Sequence, residues 1–289
     1  MAQATLLYGI GAAKAGTTWL YRYLARHPEV RLPAVKELHY FDTCETGKFE
    51  RQVQRMTRER RRRKARLPTG DARLDKRLQR EVWAYTGWLN VIRGGRNDAG
   101  YLGFLNHDAG AARLVGDITP AYATLSEGSF RHMAGLAPAT RFVFLMRDPL
   151  DRLWSNIRMA ATRKGGDFAA DAGALLDKVL GGGDRTMADR CDYAGTLRRL
   201  GVAVDPATVF TGFYETLFQP GTLSRLCGFL GISERPADSE ARVLVGNDLT
   251  MTEAQRARAM AWLAPQYDAV ARAMGPLPAR WTDNMEALA

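Results

Sequence analysis

Two rhythms of apolar and polar residues run along the chain. Short unbroken apolar runs bounded by glycine or proline predict buried strands, and apolar residues three and four apart predict helices. Thr5 to Ile10 (TLLYGI) is the first predicted strand, and Thr17 to His27 the first helix, with Leu20 and Leu24 four apart and Pro28 as its stop. Glu29 to Leu32 predicts a second strand, Arg113 to Ile118 a third, and Arg141 to Arg147 (RFVFLMR) the clearest of all. Thr208 to Phe213 is the last. Between them, Pro68-Thr69-Gly70 precedes a helix with Leu74, Leu78 and Val82 on one face, broken at Gly94-Gly95. The small, glycine-containing stretch from Asp167 to Asp189 reads as a mobile loop or insertion. A helix follows over Asp192 to Leu200, another is opened by Pro220 and ended near Gly231, and Thr250 with Glu253 predicts a capping box for a last helix. That helix is expected to run through Leu263, break at Pro265 and resume to Met274.

With 289 residues and 46% apolar content, the chain can bury a large core as one domain, or as one domain carrying insertions. No stretch approaches the roughly 20 apolar residues of a membrane span. The first strand begins almost at once, which leaves no room for a signal peptide ahead of it. Three widely spaced cysteines, Cys44, Cys191 and Cys227, outline neither a disulfide framework nor a zinc site, so a cytoplasmic protein is expected. The formal charge of +10 favours anionic partners. Much of it lies in Arg51 to Arg66 (RQVQRMTRERRRRKAR), read first as a solvated helix face and second as attraction to an acidic substrate or an anionic, peripheral membrane surface. Nucleic acid ranks last, because no aromatics interleave the basic residues.

Candidate chemistry starts in the loop after the first strand, Gly11-Ala12-Ala13-Lys14-Ala15-Gly16-Thr17-Thr18-Trp19. A helix opening after a glycine loop points its unpaired N–H groups and positive dipole end at the loop, which suits an oxyanion. Gly11 and Gly16 have the spacing of a Walker A loop, but Thr17 stands where that loop has lysine, and Lys14 lies inside instead. A dinucleotide-binding reading from Gly9 and Gly11 meets Lys14 in place of the third glycine. A plain glycine turn with an exposed lysine is the simplest alternative. Later come Lys36-Glu37-Leu38-His39-Tyr40-Phe41, then Gly116-Asp117-Ile118-Thr119-Pro120, then Arg147-Asp148-Pro149-Leu150-Asp151-Arg152-Leu153-Trp154-Ser155. Proline at the first helical position favours a helix start after Asp148.

Taken together in this order, the segments resemble sulfotransferases that use 3′-phosphoadenosine 5′-phosphosulfate (PAPS), in their bacterial and carbohydrate branch. K-x-G-T-T-x-L resembles the family's 5′-phosphate loop and R-D-P-x-x-R-x-x-S its 3′-phosphate site. The resemblance implies an α/β, P-loop-like three-layer sandwich, with a central, mostly parallel sheet and helices on both faces. It covers residues 1–289 as a single domain with a helical insertion at about 43–112, whose aromatics are read first as core packing and second as room for an acceptor. It implies sulfuryl transfer from PAPS to a hydroxyl or amine of a small-molecule, lipid or carbohydrate acceptor, with no metal required. Lys14, Ala15, Gly16, Thr17, Thr18 and Trp19 would hold the 5′-phosphosulfate, and Arg147 and Ser155 the 3′-phosphate. Lys14 and Lys36 would neutralise charge during transfer, while Asp148 and Arg152 brace the loop. The family's strand-end glutamate is here Asp117, one methylene shorter, and is the expected general base; His39 is the alternative.

Two rivals stand beside this reading. One is a P-loop phosphotransferase using Mg·ATP, with Asp148 as its metal-side carboxylate, which would ordinarily carry lysine at Thr17. The other is a non-catalytic nucleotide-binding or membrane-surface protein.

Overall fold

The computed structural model of the chain describes residues 4–219, 221–236 and 249–286. Strands β1 (Thr5–Gly11), β2 (Val30–Arg31), β3 (Leu114–Ile118), β4 (Thr140–Met146) and β5 (Val209–Phe213) form one sheet in the order β2-β3-β1-β4-β5. Every neighbouring pair is parallel. Strands covered on both faces read as unbroken apolar runs, because neither face meets water. Hence Phe142 to Met146 of β4 are all fully buried, as are Leu7, Tyr8 and Ile10 of the central β1. The α/β architecture implied by the sequence is the one observed.

Helix α1 (Thr17–Ala25) links β1 to β2. Between β2 and β3 lie α2 (Tyr40–Thr46), α3 (Phe49–Lys64), α4 (Ala72–Ile92) and α5 (Asp98–Asn106). Helix α6 (Glu127–Ala134) returns the chain to β4. Then α7 (Pro149–Thr162), α8 (Phe168–Leu180), α9 (Arg185–Asp189) and α10 (Tyr193–Ala203) lead to β5, and α11 (Thr222–Leu230), α12 (Glu253–Met274) and α13 (Ala279–Glu286) follow. Chain leaving β1 heads toward β2, while chain leaving β4 heads the opposite way to β5. Neighbouring β1 and β4 therefore flank a topological switch point, where the carboxyl ends of parallel strands leave a crevice for ligands.

Four local expectations are corrected. Asp167 to Asp189 is not a loop. Asp167 caps α8 by accepting from the backbone N–H of Ala169 and Ala170, and Ala172, Leu175, Leu176 and Val179 are buried. Alanine-rich sequence with that i, i+3, i+4, i+7 spacing is a good helix, and the glycines from Gly181 onward merely follow its end. The last capping box is Thr252 with Gln255, not Thr250 with Glu253. Pro265 stays inside an unbroken α12, because Ala259, Met260, Leu263, Tyr267 and Val270 pack on both sides of it and outweigh a proline cost of about 3 kcal/mol. On α4, Leu78 is buried as expected, but the covered face continues through Tyr85, Trp88, Leu89 and Ile92 rather than Leu74 and Val82. Pro220, expected to open a helix, lies outside the described residues; α11 begins at Thr222.

Candidate active site

The loop after β1 and the turn after β4 meet. Gly11 pairs with Phe144 across the two strands, and the N–H of Ala12 donates to the Leu145 carbonyl at 2.6 Å. Tyr214, just past β5, joins them further out. A Cβ on Gly16 would lie 2.8 Å from the Tyr214 ring, and the Arg147 guanidinium sits over that ring, 5.2 Å from its centre. Gly16 is also left-handed, at φ +87°, so both space and backbone demand glycine there.

Gly16 caps α1 with no side-chain hydrogen bond, leaving the first-turn N–H groups directed at the loop without a capping side chain. Ala15, Thr17 and Trp19 are buried and Thr18 is half-buried. The Trp19 ring is buried, stacked on Tyr23 and edge-on to Phe218. Lys14 reaches the other way, to α7, where its Nζ donates to Met159 Sδ at 3.8 Å. Burial, then the charges of Arg147, Arg163 and Arg158, push the Lys14 pKa below its usual value, with Glu37 pulling back. Lys14, Arg147, Arg158 and Arg163 thus lie within electrostatic reach of one another, a grouping of positive charge suited to a multiply charged anion. Ser155, half-buried on α7, lies one turn before Met159 and so on the face that Lys14 meets.

The turn carrying Arg147 is pinned by neighbours. Tyr193 Oη accepts from the Arg147 N–H at 3.3 Å and donates to its carbonyl at 2.9 Å. Asp148 is fully buried: its carboxylate caps α7 through the Asp151 N–H and accepts from Tyr267 Oη at 2.7 Å. Burial pushes its pKa up to about 6. Such a group braces a turn and does not face a phosphate. Arg152 is likewise fully buried and donates to Cys191 Sγ. Among the described residues, no group of three or more His, Cys, Asp or Glu is placed to hold a metal ion.

The third segment brings together groups capable of acid–base chemistry. Lys36 Nζ lies 2.8 Å from Glu37 Oε1, His39 Nε2 lies 3.5 Å from Glu37 Oε2, and His39 Nδ1 lies 2.7 Å from Asp42 Oδ2. Burial raises the Glu37 pKa, but the His39 ring beside it and the charge and hydrogen bond of Lys36 outweigh it and hold the carboxyl well below the usual range. For His39, burial favours the neutral ring, yet its bond to Asp42 and the nearby Glu37 carboxylate prevail and raise its pKa. Imidazole held between two carboxylates is a donor, not a base. Four non-glycine residues among those described have left-handed backbones, and three of them are Lys14, Glu37 and His39. Such conformations cost roughly 1 kcal/mol or more each and gather where geometry is held for a purpose.

Asp117 lies beneath this segment rather than in the crevice. It is 1% exposed, accepting from Thr119 Oγ1 at 2.8 Å, from Tyr122 Oη at 2.5 Å and from Tyr101 Oη at 3.5 Å. The Thr119 and Tyr122 hydroxyls in turn accept from the N–H groups of His39 and Tyr40, at 3.4 and 2.9 Å. Asp117 thus holds the Lys36–Asp42 segment in place through Thr119 and Tyr122. In the sequence Glu37 stands only as part of a K-E-x-x-F/Y-F segment with Lys36, Tyr40 and Phe41, and no role of its own is drawn from it there.

Burial raises the Asp117 pKa to about 6, above the ordinary 3.8. The native state therefore holds a proton that the unfolded chain has lost, and this contribution to stability disappears as pH rises from about 4 through 6. Asp117→Asn removes the effect. Unfolding midpoints measured across that window should shift in the variant's favour as pH rises, by up to about 3 kcal/mol. A wild-type-minus-variant difference that does not change with pH would contradict the assignment.

Comparison with known proteins agrees with the fold. A sulfotransferase family model matches residues 7–236. Among solved structures, the sulfotransferase from Alicyclobacillus acidocaldarius is 19% identical, with a TM-score of 0.63, covering 98% of this chain and 100% of its own. A sulfotransferase domain from the curacin biosynthetic pathway is 15% identical, with a TM-score of 0.51, covering 100% of this chain and 98% of its own. At these identities the likeness shows the fold. No curated protein matches. The family match spans well over half of the sequence, and the chain belongs to the sulfotransferase family.

Proposed function

We propose that the chain transfers the sulfuryl group of PAPS to a hydroxyl or amine of an acceptor. The observation that carries this reading is the meeting of the two phosphate-type motifs at the switch point, with Tyr214 between Gly16 and Arg147. The donor set fits a nucleotide with charge at both ends: uncapped N–H groups and Lys14 on one side, Arg147 and Ser155 on the other. PAPS supplies the sulfuryl group and a phosphate leaving group.

In this reading the backbone of Ala15 to Trp19 and Lys14 bind the 5′ end, and Arg147, aided by Ser155, binds the 3′-phosphate. Lys14 neutralises charge growing on the leaving phosphate oxygen, and Lys36 the charge on the sulfuryl oxygens. Glu37 takes the acceptor proton. It is half-exposed and held ionised by Lys36 and His39, whereas Asp117 has no free approach and His39 is tied as a donor. His39 orients Glu37, and Asp117 positions the segment that carries both. Lipid head groups, carbohydrates and small metabolites all belong to the acceptor class that a carboxylate base can deprotonate. A cytoplasmic setting agrees with the free thiols of Cys44, Cys191 and Cys227.

Calorimetry tests the reading. 3′,5′-Adenosine diphosphate should bind without metal, and Arg147→Ala should weaken it about 10- to 100-fold while leaving 5′-AMP nearly unaffected. Preference for Mg·ATP would favour the phosphotransferase instead. Equal losses for both nucleotides would remove Arg147 from the 3′ side.

A further inference from the structure

The whole charge excess of this protein sits in one hairpin. Residues 51–80, spanning most of α3 and the first half of α4, hold thirteen arginines and lysines against three acidic residues. The remainder of the chain carries 28 of each sign, so the formal +10 belongs to this hairpin alone. Its roots are packed: Gln52 and Met56 of α3, and Leu78, Tyr85 and Trp88 of α4, are buried. Toward its tip nearly every residue is exposed. Internal pairing consumes little of the charge. Arg62, Arg63 and Arg77 pair with Glu59 or Glu81, while Arg58, Arg61 and Lys76 make no ion pair among the described residues.

Two features narrow the partner. On α4 the exposed residues Arg73, Lys76, Arg77, Arg80 and Trp83 fall within an arc of about 120° at 100° per residue. This stripe ends in Trp83, the most exposed large apolar side chain described, at 67%. Basic side chains along a helix with a tryptophan at one end match the layered chemistry of a lipid headgroup region, with phosphates outside and amphipathic rings at the boundary. A protein partner would call for a desolvated apolar centre, and apart from Trp83 the hairpin's large apolar residues Met56, Tyr85, Trp88 and Leu89 are instead turned into the core. No helix among the described residues is long and apolar enough to cross a membrane. The contact is therefore adsorption.

We infer that the α3–α4 hairpin docks the protein on an anionic lipid bilayer, through its unpaired arginines and lysines and with Trp83 at the headgroup boundary. The hairpin is rooted beside the candidate site. Helix α2 begins at Tyr40, directly after His39, and the charge of Arg55 bears on the His39 ring. This inference does not rest on the transfer reaction, because binding is read without donor or acceptor.

Vesicle co-sedimentation tests it, using phosphatidylcholine alone against phosphatidylcholine with about one-third phosphatidylserine. The protein should pellet with the anionic vesicles only, and half a molar salt should release it. Arg58→Glu/Arg61→Glu/Lys76→Glu should lower partitioning at least about 100-fold, and Trp83→Ala about 5- to 10-fold. Thermal unfolding of both variants should match wild type, since all four side chains are exposed. Equal pelleting with neutral vesicles, or no response to either variant, overturns the inference. So does binding to duplex DNA, RNA or an acidic protein without any partitioning to anionic vesicles.

Discussion

Glu37→Gln should lower kcat for sulfuryl transfer about 100- to 10,000-fold while leaving 3′,5′-adenosine diphosphate affinity within about twofold. The amide keeps the shape and one acceptor for Lys36 but cannot take a proton. Asp117→Asn should retain far more activity, because that carboxylate lies under the segment and works through Thr119 and Tyr122. The pH profile separates the three possible bases independently of mutagenesis. A base must be deprotonated to act. With Glu37 held below the usual carboxylate range, the acidic limb of kcat/KM should lie well below pH 6. Asp117 would put that limb at about 6, and His39 above the ordinary histidine value of 6.5. A limb at either place, with Glu37→Gln fully active, would sink the assignment.

Lys14→Met should cost about 100- to 1,000-fold in kcat and weaken 3′,5′-adenosine diphosphate about 10-fold. Methionine keeps the stem that packs toward Met159 and removes only the charge. Lys14 acts protonated, and burial together with Arg147, Arg163 and Arg158 lowers its pKa in the free protein. Its charge is therefore lost at a lower pH than an ordinary lysine would show. A bound anion reverses part of that shift. The alkaline limb should accordingly appear at lower pH in kcat/KM, which reports the free protein, than in kcat, which reports the complex. Coincident limbs, or a Lys14→Met variant with unchanged kcat, would contradict the placement of Lys14 against the leaving group.

Asp148 illustrates why the phosphotransferase reading lost ground. After an apolar strand its carboxylate looks ready for a metal, but it is consumed by the α7 N-terminus and Tyr267. Residue type and position were right for either use, and only the neighbours distinguish them. Asp167 shows the same ambiguity in a milder form: among alanines and glycines it read as part of a loop, whereas its two backbone bonds make it the start of α8.

The sequence alone determined the strands, the helix starts after Gly16 and Asp148, and the two phosphate-type motifs. These depend on local properties: unbroken apolar runs, backbone freedom at glycine, and the missing N–H of proline. It also located the basic segment, because charge is a count. Tertiary structure decided everything that depends on contact between distant segments. Strand order brought Lys14 and Arg147, more than a hundred residues apart, to adjacent carboxyl ends. Packing buried Asp117 and left Glu37 partly exposed, although each is a carboxylate in a promising motif. A carboxyl group's chemistry is set by its solvent access and by the donors around it, and here those donors come from Lys36, His39, Thr119 and Tyr122, on two separate stretches of chain.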